Sequence, residues 1–237
     1  RIITMKKFLL ATLVLLGTIS FANAERFSVG VSLTGAVFEA TGAKEIFSGS
    51  HAGNATSSAK VTKNTKDEGD DAEGAFALGA VFAEFAANDQ ISIGLNYVPH
   101  SSDSEEAENI QNLGGTTYNH TAQATNKVKV SFEDLTTVYA LARLNDNVYA
   151  KAGVVQVDLV TEENLGTGGA YGNDTLEGFT IALGYEMDMA DGMFVRGEAM
   201  YMEIDGTTLT NTNDSTKSVS ADGIEGYGAT ISIGKSF

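Results

Sequence analysis

The sequence predicts an all-β chain: an eight-stranded antiparallel up-and-down transmembrane β-barrel, with short turns at one end and long polar loops at the other. Three observations carry that expectation. Segments with a period of two in hydrophobicity recur along the chain after an apolar N-terminal run. The connections between them alternate short and long. After the first run no apolar stretch is long enough for a spanning helix, and 26 glycines with one proline and no cysteine fit a tightly turned sheet.

The front of the chain reads as an export signal. Met5, Lys6 and Lys7 form a basic start, Phe8 to Phe21 is almost wholly apolar, and Ala22-Asn23-Ala24 is a small-x-small cleavage pattern. The apolar run falls short of the ~20 residues a membrane helix needs. Cleavage after Ala24 is therefore expected, with Arg1 to Thr4 as upstream residues without structural meaning. That divides the chain into a removed piece, 1–24, and one barrel domain, 25–237. The formal net charge is −16, and the removed piece carries Arg1, Lys6 and Lys7 but no acid, so cleavage enlarges the acid excess. Such a charge repels nucleic acid. The lack of cysteine excludes disulfides, thiolate metal sites, thiol nucleophiles and a lipidated N-terminal cysteine.

The segments follow in order. The first, Arg26 to Thr41, puts Phe27, Val29, Val31, Leu33 and Val37 on one face and Ser28, Gly30, Ser32, Thr34 and Ala36 on the other. A polar loop, Gly42 to about Ala72, leads to the second segment, Glu73 to Ala87, whose apolar parity is Phe76, Leu78, Ala80 and Phe82. Asn88-Asp89 makes a tight turn. The third segment, Gln90 to Pro99, alternates cleanly and ends at the only proline. A loop from His100 to about Asn126 precedes the fourth, Lys127 to Ala142, where Val128, Val130 and Phe132 hold one parity and Leu135, Thr137, Tyr139 and Leu141 the other. A β-bulge near Glu133-Asp134 reconciles them. Asn145-Asp146-Asn147 turns into the fifth segment, Val148 to Val160, and a Gly-rich loop, Thr161 to Leu176, into the sixth, Glu177 to Met189. Ala190-Asp191-Gly192 turns into the seventh, Met193 to Asp205. A fourth loop, Gly206 to about Gly223, precedes the last strand, GYGATISIGKSF, with Tyr227, Ala229, Ile231, Ile233 and Phe237 on its apolar face.

Charge placement separates a membrane barrel from a soluble one. Opposite the apolar faces stand Lys151, Glu186, Asp188, Arg196 and Glu198, together with Lys129 and Glu133, among small Gly, Ala, Ser and Thr residues. A three-residue turn between the sixth and seventh segments sets Glu186 across from Arg196 and Gly184 across from Glu198. These charges are expected to form a lumen network, since an eight-stranded barrel has room inside for little but side chains. Aromatics gather at two levels, as lipid-facing girdles do. One level holds Phe27, Phe85, Tyr139, Tyr149, Tyr185, Phe194 and Phe237, the other Phe38, Phe76, Tyr97, Phe132, Phe179, Tyr201 and Tyr227.

Taken together, the export signal, the strand rhythm and the final strand with its terminal aromatic resemble the small bacterial outer-membrane barrels of the OmpA-barrel, OmpX and opacity-protein type. The resemblance implies short periplasmic turns, long extracellular loops and both chain ends on the periplasmic side. It also implies outer-membrane lipids and lipopolysaccharide as surroundings, periplasmic chaperones and the barrel-assembly machinery as partners, and a monomer. The C-terminal pattern Tyr227, Ala229, Ile231, Ile233 and Phe237 would serve as the assembly signal. Lys235, on the apolar parity, departs from it; an outward Lys costs about 2 to 4 kcal/mol at mid-bilayer but about 0 to 1 near an interface, where it can snorkel.

No catalytic pattern is evident. His51, His100 and His120 all fall in predicted outer loops without a neighbouring arrangement that fixes a nucleophile. The acids of the KDEGDDAE stretch, Asp67, Glu68, Asp70, Asp71 and Glu73, and those of the next loop, Asp103, Glu105, Glu106 and Glu108, read as solvated surface rather than a calcium loop. Neither metal nor cofactor is expected. The reading is a structural or surface-interaction barrel without catalysis; the alternative is a narrow passive channel for ions or small hydrophobic compounds, with Met200 and Met202 on the inward parity.

Overall fold

In the computed structural model the described residues are 27–41, 44–47, 72–104, 106–112, 123–166 and 168–237; the expected export signal, His51, His120, Asp67 to Asp71 and Glu105 lie outside them. The strands are β1 (Phe27–Thr41), β2 (Lys44–Phe47), β3 (Ala72–Ala86), β4 (Ile91–Tyr97), β5 (Ser102–Asp103), β6 (Ala107–Asn112), β7 (Gln123–Arg143), β8 (Val148–Leu165), β9 (Asp174–Asp188), β10 (Met193–Thr210) and β11 (Lys217–Ser236). All pairings are antiparallel, in the order β1-β3-β4-β7-β8-β9-β10-β11, and β11 pairs back onto β1. The ring therefore has eight staves and is closed. β2 continues the β1 stave along β11, while β5 and β6 continue the β4 stave along β7.

Closure depends on the two end strands. Their register runs from Ser28↔Ser236 to Thr41↔Gly223, with inward hydroxyls meeting at Thr34 and Thr230, 2.7 Å apart. Phe237 donates its N–H to the Phe27 carbonyl at 2.8 Å, so both ends of the barrel domain lie at the short-turn end. Each turn there has a local cause. The Asn88 side chain accepts the amides of Gln90 and Ile91 at 2.9 and 2.8 Å, and Asn145 does the same for Asn147 and Val148 at 2.9 Å each. At Ala190–Gly192 the left-handed backbone is supplied by Asp191 and Gly192, with φ 61° and 74°.

The barrel is apolar outside. Leu33, Ile181, Leu183, Ile231 and Ile233 are 44 to 68% exposed on the outer face. A water-soluble barrel would bury such residues, whereas one standing in lipid displays them. The bulge in β7 falls between Glu133 and Thr136, where the register with β8 shifts and Asp134 has φ 52°.

Two expectations about faces are reversed. Phe76, Leu78, Ala80 and Phe82 of β3, and Thr137, Tyr139 and Leu141 of β7, point inward, while Ala75, Ala77 and Val81 of β3 are exposed on the outer face. The reason is packing. On four strands an inward glycine is covered by an aromatic ring of the neighbouring strand: Phe82 over Gly30, Tyr139 over Gly94, Tyr149 over Gly184 and Phe194 over Gly234, each a directly opposed pair. A ring covering a cross-strand glycine restores the packing that the missing side chain forfeits. Of the expected girdles, Tyr139, Tyr149, Phe194, Phe38, Phe76 and Phe132 thus belong to the interior. The outward aromatics are Phe27, Phe85, Tyr185 and Phe237 at one end and Tyr97, Phe179, Tyr201 and Tyr227 at the other, the last three in mutual contact at 6.0 and 5.0 Å between ring centroids.

Three expected loops are also shorter than the sequence suggests. β7, β8, β10 and β11 run for 21, 18, 18 and 20 residues, against the ~9 to 11 that cross a bilayer. The β10–β11 ladder continues to Thr210↔Ser218, through what reads as a Thr- and Asn-rich loop. Ladder bonds need no apolar face when both faces meet water, so these extensions leave no hydrophobic alternation to detect.

Candidate functional site in the barrel lumen

At the short-turn half of the lumen the charged side chains converge. Arg196, on β10, is held in the middle because its strand neighbours place it opposite Glu186 on one side and Ser232 on the other. Its guanidinium grips Glu84 of β3 with two parallel hydrogen bonds, at 2.5 and 2.7 Å, and donates its Nε to Glu186. The second Glu186 oxygen takes Arg143 of β7 at 2.7 Å. Tyr139 donates its hydroxyl to Glu84 at 2.7 Å. Beside this group Glu198 accepts Tyr149 at 2.7 Å and pairs with Lys151.

Three carboxylates thus face three cations, and the network is neutral. Glu84, Glu186, Arg196 and Glu198 are only 3 to 7% exposed. Burial of a charge is tolerable when every lone pair and proton is answered at close range, and here the bidentate and tyrosine contacts do that. The rings that cover the glycines also face the cations: the guanidinium carbon of Arg196 lies 4.4 Å from the Phe194 ring centre and 5.3 Å from that of Tyr149, and the Lys151 ammonium 5.0 Å from that of Tyr139.

The structure brings together Lys151, Glu186, Arg196 and Glu198 and leaves Asp188 out. Asp188 is exposed at the end of β9, one alternation beyond Glu186, where the strand has already reached the rim. Sequence reasoning missed Glu84, Arg143, Tyr139 and Tyr149. For Glu84 a signal existed. It shares parity with Phe76, Leu78, Ala80 and Phe82, and a carboxylate is costly in lipid, so that parity had to face in.

Outside the belt, Lys129 pairs with Asp103 at 2.7 Å. The Lys129 hydrogen bond, seconded by Ser131, holds the Asp103 carboxyl below its usual range, and Asp103 in turn raises Lys129. Glu106 pairs with Lys127 at 2.6 Å. His100 is occupied as well, its Nε2 accepting the Gly79 amide at 3.0 Å and its Nδ1 facing the Ser101 carbonyl at 3.1 Å. Among the described residues no group of three or more acids and histidines is arranged to hold a metal ion.

The C-terminal residues Tyr227, Ala229, Ile231 and Ile233 line the outer face of β11, and Phe237 follows at its end, 52% exposed. Lys235 points outward near the rim, with its ammonium 5.4 Å from the Phe237 ring centre. Along the belt the paired strands form a closed ring, hydrocarbon outside and ions within, as standing in lipid requires. The architecture is that of a small outer-membrane β-barrel.

No family model matches the chain, and no curated protein does. Among solved structures the barrel is similar to the outer membrane protease OmpT from Escherichia coli, at 12% identity over 91% of this chain and 98% of that one, with a TM-score of 0.38. It is also similar to Neisserial surface protein A, at 10% over 89% and 97% with 0.41. A third likeness is to Ail, the attachment invasion locus protein of Yersinia pestis, at 10% over 87% and 99% with 0.32. At TM-scores below 0.5 these likenesses carry neither a fold nor a role across to this chain, whose architecture stands on its own register and outer belt.

Proposed function

We propose that this chain is an exported bacterial outer-membrane barrel with a closed lumen, serving as a structural and surface-interaction element and performing no catalysis. The observation that carries the reading is the neutral network of Glu84, Arg143, Lys151, Glu186, Arg196 and Glu198 spanning the interior. Ions that neutralise one another at hydrogen-bond distance fill a small lumen instead of attracting a permeant ion. What remains for interaction is the outer crown. It is built, not slack: Thr212 at the β10–β11 tip donates to the Ala170 carbonyl at 2.7 Å and accepts the Ala170 amide at 3.0 Å, tying two connections together.

In this reading lipid and lipopolysaccharide surround the belt, the assembly machinery reads the strand ending in Phe237, and the barrel acts as a monomer. Replacing residues 207–221 with a two-residue Asn-Gly turn should leave folding intact, seen as heat-dependent gel mobility, while abolishing attachment of expressing cells to surfaces or phage. Unchanged attachment would contradict the surface role. The second reading, a narrow passive channel, draws support from the rim of the network, where the Arg143 and Lys151 side chains keep 31% and 16% of their exposure.

A further inference from the structure

Above the ionic layer the lumen changes character. A partly enclosed cavity, about 470 Å³ with the solvent-open space at its mouth included, is walled by Phe38, Phe76, Leu78, Phe132, Leu135 and Met202, with His100 and Ser102 the polar residues of its lining among the described residues. Water gains little in such a space, because it finds almost no hydrogen-bond partners. Concave, apolar and furnished with one or two polar groups, it has the make-up of a small-molecule site. A peptide strand or helix would leave its backbone amides without partners there.

The wall beside this cavity is parted. The β3–β4 ladder stops at Val81↔Tyr97, and beyond it β5 and β6 pair with β7. Among the described residues no ladder joins Ala72–Ala80 of β3 to the stave on that side. Pro99 stands at the break and has no amide to donate. Among the described residues one hydrogen bond bridges the gap, from the Gly79 amide to His100 Nε2. Gly79 lies directly beside Leu33, which is 63% exposed on the belt, so the seam reaches the outer margin of the apolar belt. Phe76 and Leu78 on one edge and His100 on the other belong both to the seam and to the cavity.

We propose that the cavity binds an uncharged hydrophobic small molecule of about one aromatic ring or a short hydrocarbon chain, and that the molecule is loaded sideways through the seam that His100 and Gly79 latch. The proposal rests on the closed-lumen reading, since the ionic layer makes the chamber blind on its other side. It adds a binding site to that reading, with exchange toward the membrane instead of passage across it.

The test uses the full mature barrel in lipid nanodiscs and an uncharged, ring-sized diazirine hydrocarbon as probe, with labelled residues mapped by mass spectrometry. Labels are expected on Phe38, Phe76, Phe132 or Met202, and a chamber-filling Met202→Trp variant, or Leu78→Phe if the first fails to fold, should reduce them at least about fivefold. Labels confined to outward residues such as Leu33 and Ile231 would overturn the site. For the route, the cysteine-free chain permits a Gly79→Cys, His100→Cys pair bridged by a short thiol crosslinker. Bridging should slow chamber labelling by about tenfold relative to the unbridged pair; an unchanged rate would overturn the seam. A long-chain fatty-acid diazirine labelling the chamber as well would identify a lipid tail as the source of the same chemistry, and its exclusion would identify a free compound. Conductance measured on the same sample keeps the two readings apart, because an open pore defeats the closed lumen whatever the labels show.

Discussion

Arg196 holds three elements together through two carboxylates, and the cost of losing it is lopsided. Arg196→Met removes one charge, leaves Glu84 with the Tyr139 hydroxyl as its partner and Glu186 with Arg143, the two carboxylates being 4% and 3% exposed, and breaking a buried pair in this way costs about 3 to 5 kcal/mol. Urea titration of the refolded barrel in lipid vesicles should show a loss of that order, with Arg196→Lys falling between the two because it keeps the charge and loses the fork. A loss below about 1 kcal/mol would mean that the network does not hold the strands. Outside the belt the Asp103–Lys129 pair is governed by pH. Asp103 is held below its usual range, so its contribution is present above that range and disappears as pH falls through the lowered value; Lys129 is raised, so its contribution is present below the usual lysine range and disappears as pH rises through the raised value. Between these limits the pair pins β5 to β7. Asp103→Asn should speed exchange of the Ser104 amide, which donates to Val130 at 2.8 Å, without moving the barrel's melting; equal protection in both proteins would remove the pair from the account.

At the scale of elements, register decides which side chains meet. The glycines beneath the rings are one consequence: at Gly184 an added Cβ would lie 2.7 Å from a ring carbon of Tyr149 and 2.5 Å from its hydroxyl oxygen. Gly184→Val should therefore cost about 1 to 3 kcal/mol by overpacking, read by the same titration, while the same change at Gly197, which has open space on the outer face, should cost little. Another consequence lies at the outer rim, where Glu73, Glu39, Glu225 and Glu203 stand directly opposite one another across four adjacent strands. Opposed like charges are unfavourable in a sheet. Glu225→Gln should stabilise the barrel by a few tenths of a kcal/mol up to about 1 kcal/mol at low salt, and a loss of stability would show that cross-strand repulsion is already relieved. The strand register that the sequence predicts for the sixth and seventh segments is found between β9 and β10, because the Ala190–Gly192 turn fixes it and strict alternation leaves no second register. β3 and β7 were harder to read. Their inward faces carry Phe, Leu and Tyr because the outer half of the lumen is itself apolar and, in the ionic half, Phe82 and Tyr139 cover glycines of the neighbouring strands, so hydrophobicity does not distinguish in from out there. Only the charge on Glu84 did.

For the whole molecule, closure was legible from the matching ends, Arg26 to Thr41 and Gly226 to Phe237, and from the alternation of short and long connections. The outer extensions were not, since polar hairpins in water carry no apolar stripe. The interior network was half legible: charges on a small-residue face announce a lumen, but Glu84 and Arg143 come from strands whose parity the apolar chamber obscures. These levels meet in one claim, that a neutral ionic layer closes an eight-stranded barrel whose belt stands in lipid. Planar-bilayer recording of the purified, refolded protein tests it most directly. The wild-type chain should show no steady conductance above background, and Arg196→Ala, if it folds, should show leak; a stable open conductance in the wild type would contradict the closed lumen.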